Sequence, residues 1–170
     1  MSLQDVEAVI ESAKSRGPGS LEGFIRRRAP QMPDDKVRET AEVAVEIIES
    51  VPVFLARASQ EARNRSMVRT VQPVLNHAEQ YFLRPVDLIP EMTQGLAGLL
   101  DDCYLVLRIL QNLDRGPQPF LDWDLDQPVA FLRSLVGREI SGKLDTLSEA
   151  AMEEVSQHLS LVWEQVAHEA

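Results

Sequence analysis

The sequence predicts an all-α protein: a single compact helical domain spanning residues 1–170, with about six to eight helices around a central apolar helix at about residues 96–113. Three observations carry this expectation. Apolar residues recur at three- and four-residue spacing almost throughout. No run of alternating β-branched residues stands out as a strand. Glycine- and proline-rich clusters at 17–19 and 116–119 punctuate the periodic segments. A length of 170 residues with 44% hydrophobic content suffices for one buried core and is short for two.

The elements follow in order. Leu3, Val6, Val9, Ile10 and Ala13 mark a short amphipathic helix, closed at Gly17-Pro18-Gly19. Its acids Asp5, Glu7 and Glu11 stand where a secretory signal would place basic residues. A shorter helix starts at Ser20. Pro33-Asp34-Asp35 then sets a proline and two acids at a helix start, where a missing N–H is harmless and negative charge suits the dipole. Val37, Ala41, Ala44, Val45, Ile48 and Val51 form that helix's buried stripe. Pro52 is expected to kink or end it, and the apolar pattern resumes at Phe54, Leu55 and Ala58. A further helix runs from about Ser66 to Phe82, with a kink expected at Pro73. Beyond residue 113, Gly116-Pro117-Gln118-Pro119 breaks the helix and LDWDLDQP forms an acidic connector. Asp126 and Pro128 read as the N-cap and first turn of a helix through Val129, Phe131, Leu132, Leu135 and Val136. Thr146-Leu-Ser-Glu149 has the form of a capping box, which places a final helix from Ala150 through Val166.

Charge narrows the partners. The net charge is −10; residues 1–80 hold 11 Lys and Arg against 12 Asp and Glu, while residues 81–170 hold 6 against 15. An acidic surface opposes the counterion-release term that drives nucleic-acid binding, so no nucleic-acid partner is expected. Arg26-Arg27-Arg28 and the group Arg57, Arg63, Arg65 and Arg69 read as solvated helix faces, without aromatic stacking platforms. The lone Cys103 excludes an intramolecular disulfide and fits a reducing compartment, so a cytoplasmic location is expected.

The densest pattern is Tyr81 to Leu110, YFLRPVDLIPEMTQGLAGLLDDCYLVLRIL. Asp87 can cap the following turn, Pro90 suits its first position, and Gly95 and Gly98 permit a tight turn or close helix contact. From Leu99 to Leu113 nearly every face is apolar except at Asp101, Asp102 and Arg108, as in a helix surrounded by others. This order of Tyr-Phe, Pro85, Asp87-Leu-Ile-Pro90, an acid, two glycines and Asp101-Asp102 resembles the Domain of Unknown Function 1232 (YkvA-like) family over about 30 residues. The chain departs from that pattern at Glu91, commonly Asp, and in lacking a second Ile-Pro near Thr93 and Gln94. The resemblance implies no role for these acids.

Two readings of the acids compete. Asp87, Glu91, Asp101 and Asp102 could converge to hold Mg²⁺ or Mn²⁺ for hydrolysis. In the structural reading Asp87 caps, Asp101 and Asp102 cap or pair with Arg84 and Arg108, and Glu91 faces water. The second is favoured, and no cofactor is predicted. His77, His158 and His168 lack paired zinc-site spacing, and Cys103, beside two aspartates on an apolar helix, is a core residue and a poor nucleophile. No phosphate-binding loop or nucleophile elbow is present. A membrane span over 92–110 is disfavoured: three charges cost roughly 9 kcal/mol against about 4 kcal/mol returned by its Leu, Ile and Val residues. The favoured function is a non-catalytic interaction or scaffold module, self-associating or binding a partner through a groove or the connector at Asp122, Trp123 and Asp124. The alternatives are the metal-dependent hydrolase and a peripheral membrane adaptor.

Overall fold

A computed structural model describes residues 3–16, 19–83, 95–113 and 124–149, and no strand occurs among them. The helices are α1 (Leu3–Arg16), α2 (Ser20–Arg28), α3 (Asp34–Asn64), α4 (Val68–Leu83), α5 (Leu100–Leu113) and α6 (Asp126–Val136). A 3-10 turn, Leu96–Leu99, leads directly into α5. Residues 138–149 form a further helix, α7. The all-α expectation is met.

The long helix α3 organises one side of the core. Its buried positions Val37, Ala41, Ala44, Ile48, Val51, Leu55, Ala58 and Ala62 alternate four- and three-residue steps along a helix of 31 residues. That heptad-like stripe spans about 40 Å at 1.5 Å per residue. Four of its members are alanines, which let the neighbouring helices α1, α2, α4 and α5 approach closely. Of the two outcomes expected at Pro52, a kink or an end, the helix does not end: α3 runs through it. Pro52 removes the N–H that Ile48 O would accept, yet Val51, Pro52 and Leu55 are all buried, so core packing holds the helical path. Pro73 likewise lies inside a continuous α4.

Helix ends are set by local chemistry. Gly19, at φ +83°, precedes α2, and Pro33 in extended geometry precedes α3, as read from the sequence. At the other end of α3 the Met67 N–H bonds Ala62 O at 2.8 Å and the Ser66 N–H bonds Arg63 O at 3.1 Å. This is a Schellman motif with Ser66 at φ +56° in the position glycine usually takes. Asp126 is the first residue of α6 rather than its cap; the Asp124 carboxylate accepts the Asp126 N–H at 2.9 Å, and Pro128 sits in the first turn. The Thr146–Glu149 capping box is not formed. Those residues lie within α7, and the Thr146 hydroxyl donates back to Gly142 O at 3.2 Å. The helix expected from Ala150 onward lies outside the described residues.

Helix α5 is the central one. Cys103, Tyr104, Leu105, Val106, Leu107, Ile109, Leu110 and Leu113 are all inaccessible, and α3, α4 and α6 pack around them. Burying each large aliphatic side chain is worth about 1.5–3 kcal/mol, so this helix carries a large share of the hydrophobic stabilisation. Gly95, at φ +70°, turns the chain into it; the Gly98 N–H bonds Gly95 O, and the Ala97 N–H is accepted by the Ser20 hydroxyl of α2 at 3.2 Å.

Candidate functional site

The acids of the 81–110 segment divide between described and undescribed residues. Asp101 and Asp102 occupy the first turn of α5, where the helix dipole favours negative charge, and are only 4% and 1% exposed. The Asp101 carboxylate accepts the Asp102 N–H at 3.0 Å, so one acid caps the other's backbone. Arg84, Asp87 and Glu91 lie outside the described residues, and with them the four-carboxylate convergence that the metal alternative requires. Among the described residues no three His, Cys, Asp or Glu side chains are grouped to hold a metal. The Cys103 thiol that follows is inaccessible, and burial, reinforced by the charges of Asp102 and Asp101, pushes it well above its ordinary range. It stays a thiol, as the sequence led us to expect.

Arg108 does not pair with Asp101 or Asp102. The described chain turns it to Asp145 on α7, with Arg108 Nε 2.8 Å from Asp145 Oδ1. The Tyr104 hydroxyl donates to the same oxygen at 2.6 Å, and Arg133 of α6 donates from Nε to the Tyr104 oxygen at 3.2 Å while its guanidinium stands 5.8 Å from the ring centre. Gln111 continues the chain of bonds, accepting from Arg108 and donating to Asp126. A single carboxylate thus joins α5 and α7, with α6 tied in through Arg133 and Asp126. Burial raises the Tyr104 hydroxyl above its usual range, and its bond to Asp145 adds to this while Arg133 opposes it. The phenol therefore keeps its proton and acts as a donor. Sequence reasoning missed Asp145 altogether, although Ser141, Leu144 and Ser148 are buried at helical spacing and place it beside the inner edge of α7.

In the acidic connector, Asp122 and Trp123 lie outside the described residues. Asp124 is exposed and its carboxylate is engaged in the α6 cap. Another arginine, Arg28, closes the far end of α6: it donates from Nε to Leu135 O at 3.0 Å and packs 5.6 Å from the Phe24 ring centre. Gly137 leaves room for it, because a Cβ there would come within 2.1 Å of Arg28 Nη2.

Open surface of a different kind lies between α1 and α3. A groove of about 270 Å³ is floored by Ile10, Pro52 and Val53 and rimmed by Glu7, Glu11, Lys14 and Glu49. Lys14 bridges the two helices, with Nζ 2.8 Å from Glu49 and 3.6 Å from Glu11, and these carboxylates raise its pKa. A second recess of about 220 Å³ opens beside it, between the start of α2 and Ala41, Val45 and Leu96. Beneath the surface, Glu79 of α4 is only 7% exposed, and its Oε2 has no hydrogen-bond partner among the described residues. Burial raises its pKa, and the charge of Asp5 raises it further.

No protein-family model matches the chain, and no curated protein or solved structure matches it. No helix among the described residues is long and apolar enough to cross a membrane.

Proposed function

We propose that the chain is a helical interaction module that binds another protein and performs no chemistry of its own. The observation that carries this reading is the α1/α3 groove, where Val53, 54% exposed, stands above buried Ile10 and Pro52 and is framed by the charges of Glu7, Glu11, Lys14 and Glu49. An apolar centre inside a polar rim is the usual anatomy of a protein-binding patch. The polar groups of α5 to α7 support the same reading, since Asp145, Tyr104 and Arg108 satisfy one another in an interhelical clasp. A single, inaccessible cysteine fits a partner met in a reducing compartment such as the cytoplasm.

The test is cross-linking mass spectrometry on the protein expressed at native level in its own host, together with sedimentation of the purified protein. A stoichiometric partner, or a second copy of the chain, cross-linked to a defined face is the expected result. A monomer with no stoichiometric cross-linked protein overturns the reading.

A further inference from the structure

We propose that the groove between α1 and α3 is the docking site for a basic amphipathic helix of a partner protein, an inference that rests on the interaction-module reading and names the class of its partner.

Charge complementarity is the first argument. Glu7, Glu11 and Glu49 stand on the rim against the single cation Lys14, on a chain whose net charge is −10. Lys14 itself is the second argument. Its ammonium reaches Glu49 on the opposite helix at 2.8 Å, so the rim carboxylates already accept an ammonium carried on a helix at this place. Both groups of that pair are partly exposed, Lys14 at 39% and Glu49 at 43%, and Glu11 at 71% has acceptor capacity to spare. The floor supplies the third argument. Val53 is the most exposed large hydrophobic residue among those described, and it stands in the groove above Ile10 and Pro52, which are themselves buried. A partner's apolar side chain would cover Val53, the part of the floor that water reaches.

Geometry sets the form of the partner. Helix α1 has 14 residues and so extends about 21 Å, and Glu7 and Glu11 are one turn apart on it. A partner helix lying along the groove would present its apolar stripe at i, i+3 or i+4, and i+7 over Val53, with Lys or Arg one turn apart on its flank to meet Glu7 and Glu11. An acidic helix would set like charges against the rim, and an anionic lipid surface would meet the same repulsion.

The experiment titrates a fluorescent 14-residue amphipathic Leu/Lys peptide into the full chain at physiological salt, beside a counterpart with every Lys replaced by Glu. The proteins compared are the wild type, the groove variant Glu7→Lys with Glu11→Lys, and an off-groove variant of equal charge, Glu139→Lys with Glu149→Lys. Saturable one-to-one binding of the Lys peptide is expected, weakened about tenfold or more by the groove variant and less than twofold by the off-groove variant, with no binding of the Glu peptide. Val53→Lys probes the same site from α3 if the α1 variant fails to fold, and is expected to weaken binding to a similar degree. Equal weakening by both double variants would reduce the effect to general charge attraction and overturn the proposal. Equal binding of the two peptides, or no saturable binding of the Lys peptide, overturns it as well. Cross-links from a native partner to another face would leave the module reading standing while removing the groove from it.

Discussion

Gly137 and Glu79 show how single residues in this chain answer to their surroundings. Gly137 adopts φ +91°, a backbone region that side chains rarely enter, and its missing Cβ is the space that Arg28 fills. Gly137→Ala is expected to lower stability by about 1–3 kcal/mol in urea unfolding. In an Arg28→Ala background the loss should shrink to the backbone part alone, and an unchanged loss would show that the guanidinium yields freely. Glu79 tests the opposite kind of residue. Its folded pKa lies above the ordinary 4.5, so the neutral carboxyl suits the folded state and no penalty exists below that value. As pH rises from 4.5 through the folded pKa, ionisation in a buried site costs stability, and the cost stays constant above it. Glu79→Gln is therefore expected to stabilise the protein near neutral pH and to lose that advantage below pH 4.5. A gain that is the same at both pH values would place its origin elsewhere.

At the scale of elements, the carboxylate of Asp145 joins α5 to α7 and reaches α6 through Tyr104 and Arg133. Asp145→Ala leaves Arg108, only 12% exposed, without its counter-charge. The expected cost is about 2–3 kcal/mol, less than for a fully buried pair because the Asp145 carboxylate is 29% exposed. Thermal unfolding measures it, and a further Arg108→Leu substitution should recover part of the loss by removing the stranded charge. Most elements were legible beforehand because their signals are local: the stripe of α1, the Gly-Pro-Gly boundary, the Pro33-Asp34-Asp35 start and the apolar faces of α5 all sit within a few turns of chain. Local cues mislead where distant contacts override them. Pro52 reads as a kink or an end, and its burial beside Val51 and Leu55 keeps α3 continuous. Thr146 and Glu149 read as a box, but Leu144 and Ser148 carry α7 through them. Spacing pairs Arg108 with Asp101 and Asp102 about two turns away on its own helix, whereas its partner Asp145 lies 37 residues further along the chain.

For the whole molecule, the −10 net charge is the controlling quantity. Like charges repel in the compact state, and salt screens that repulsion. Raising ionic strength from about 0.01 M to about 0.15 M shortens the screening length from roughly 30 Å to about 8 Å, so the midpoint of thermal unfolding is expected to rise by about 2–4 °C, the shift that 1 kcal/mol produces at this size. A falling midpoint would mean that ion pairs such as Arg26–Asp34 and Lys14–Glu49 outweigh the repulsion.

Helical class, the apolar central helix, the acidic balance and the inert thiol follow from composition and from spacing at three and four residues, because those properties depend on neighbours along the chain. The polar partnerships belong to the folded molecule. Which carboxylate meets Arg108, which glycine admits Arg28, and where two amphipathic helices leave an acidic, apolar-floored groove between them depend on how helices pack side by side, and residues far apart in sequence leave no periodic mark of the surface they will share.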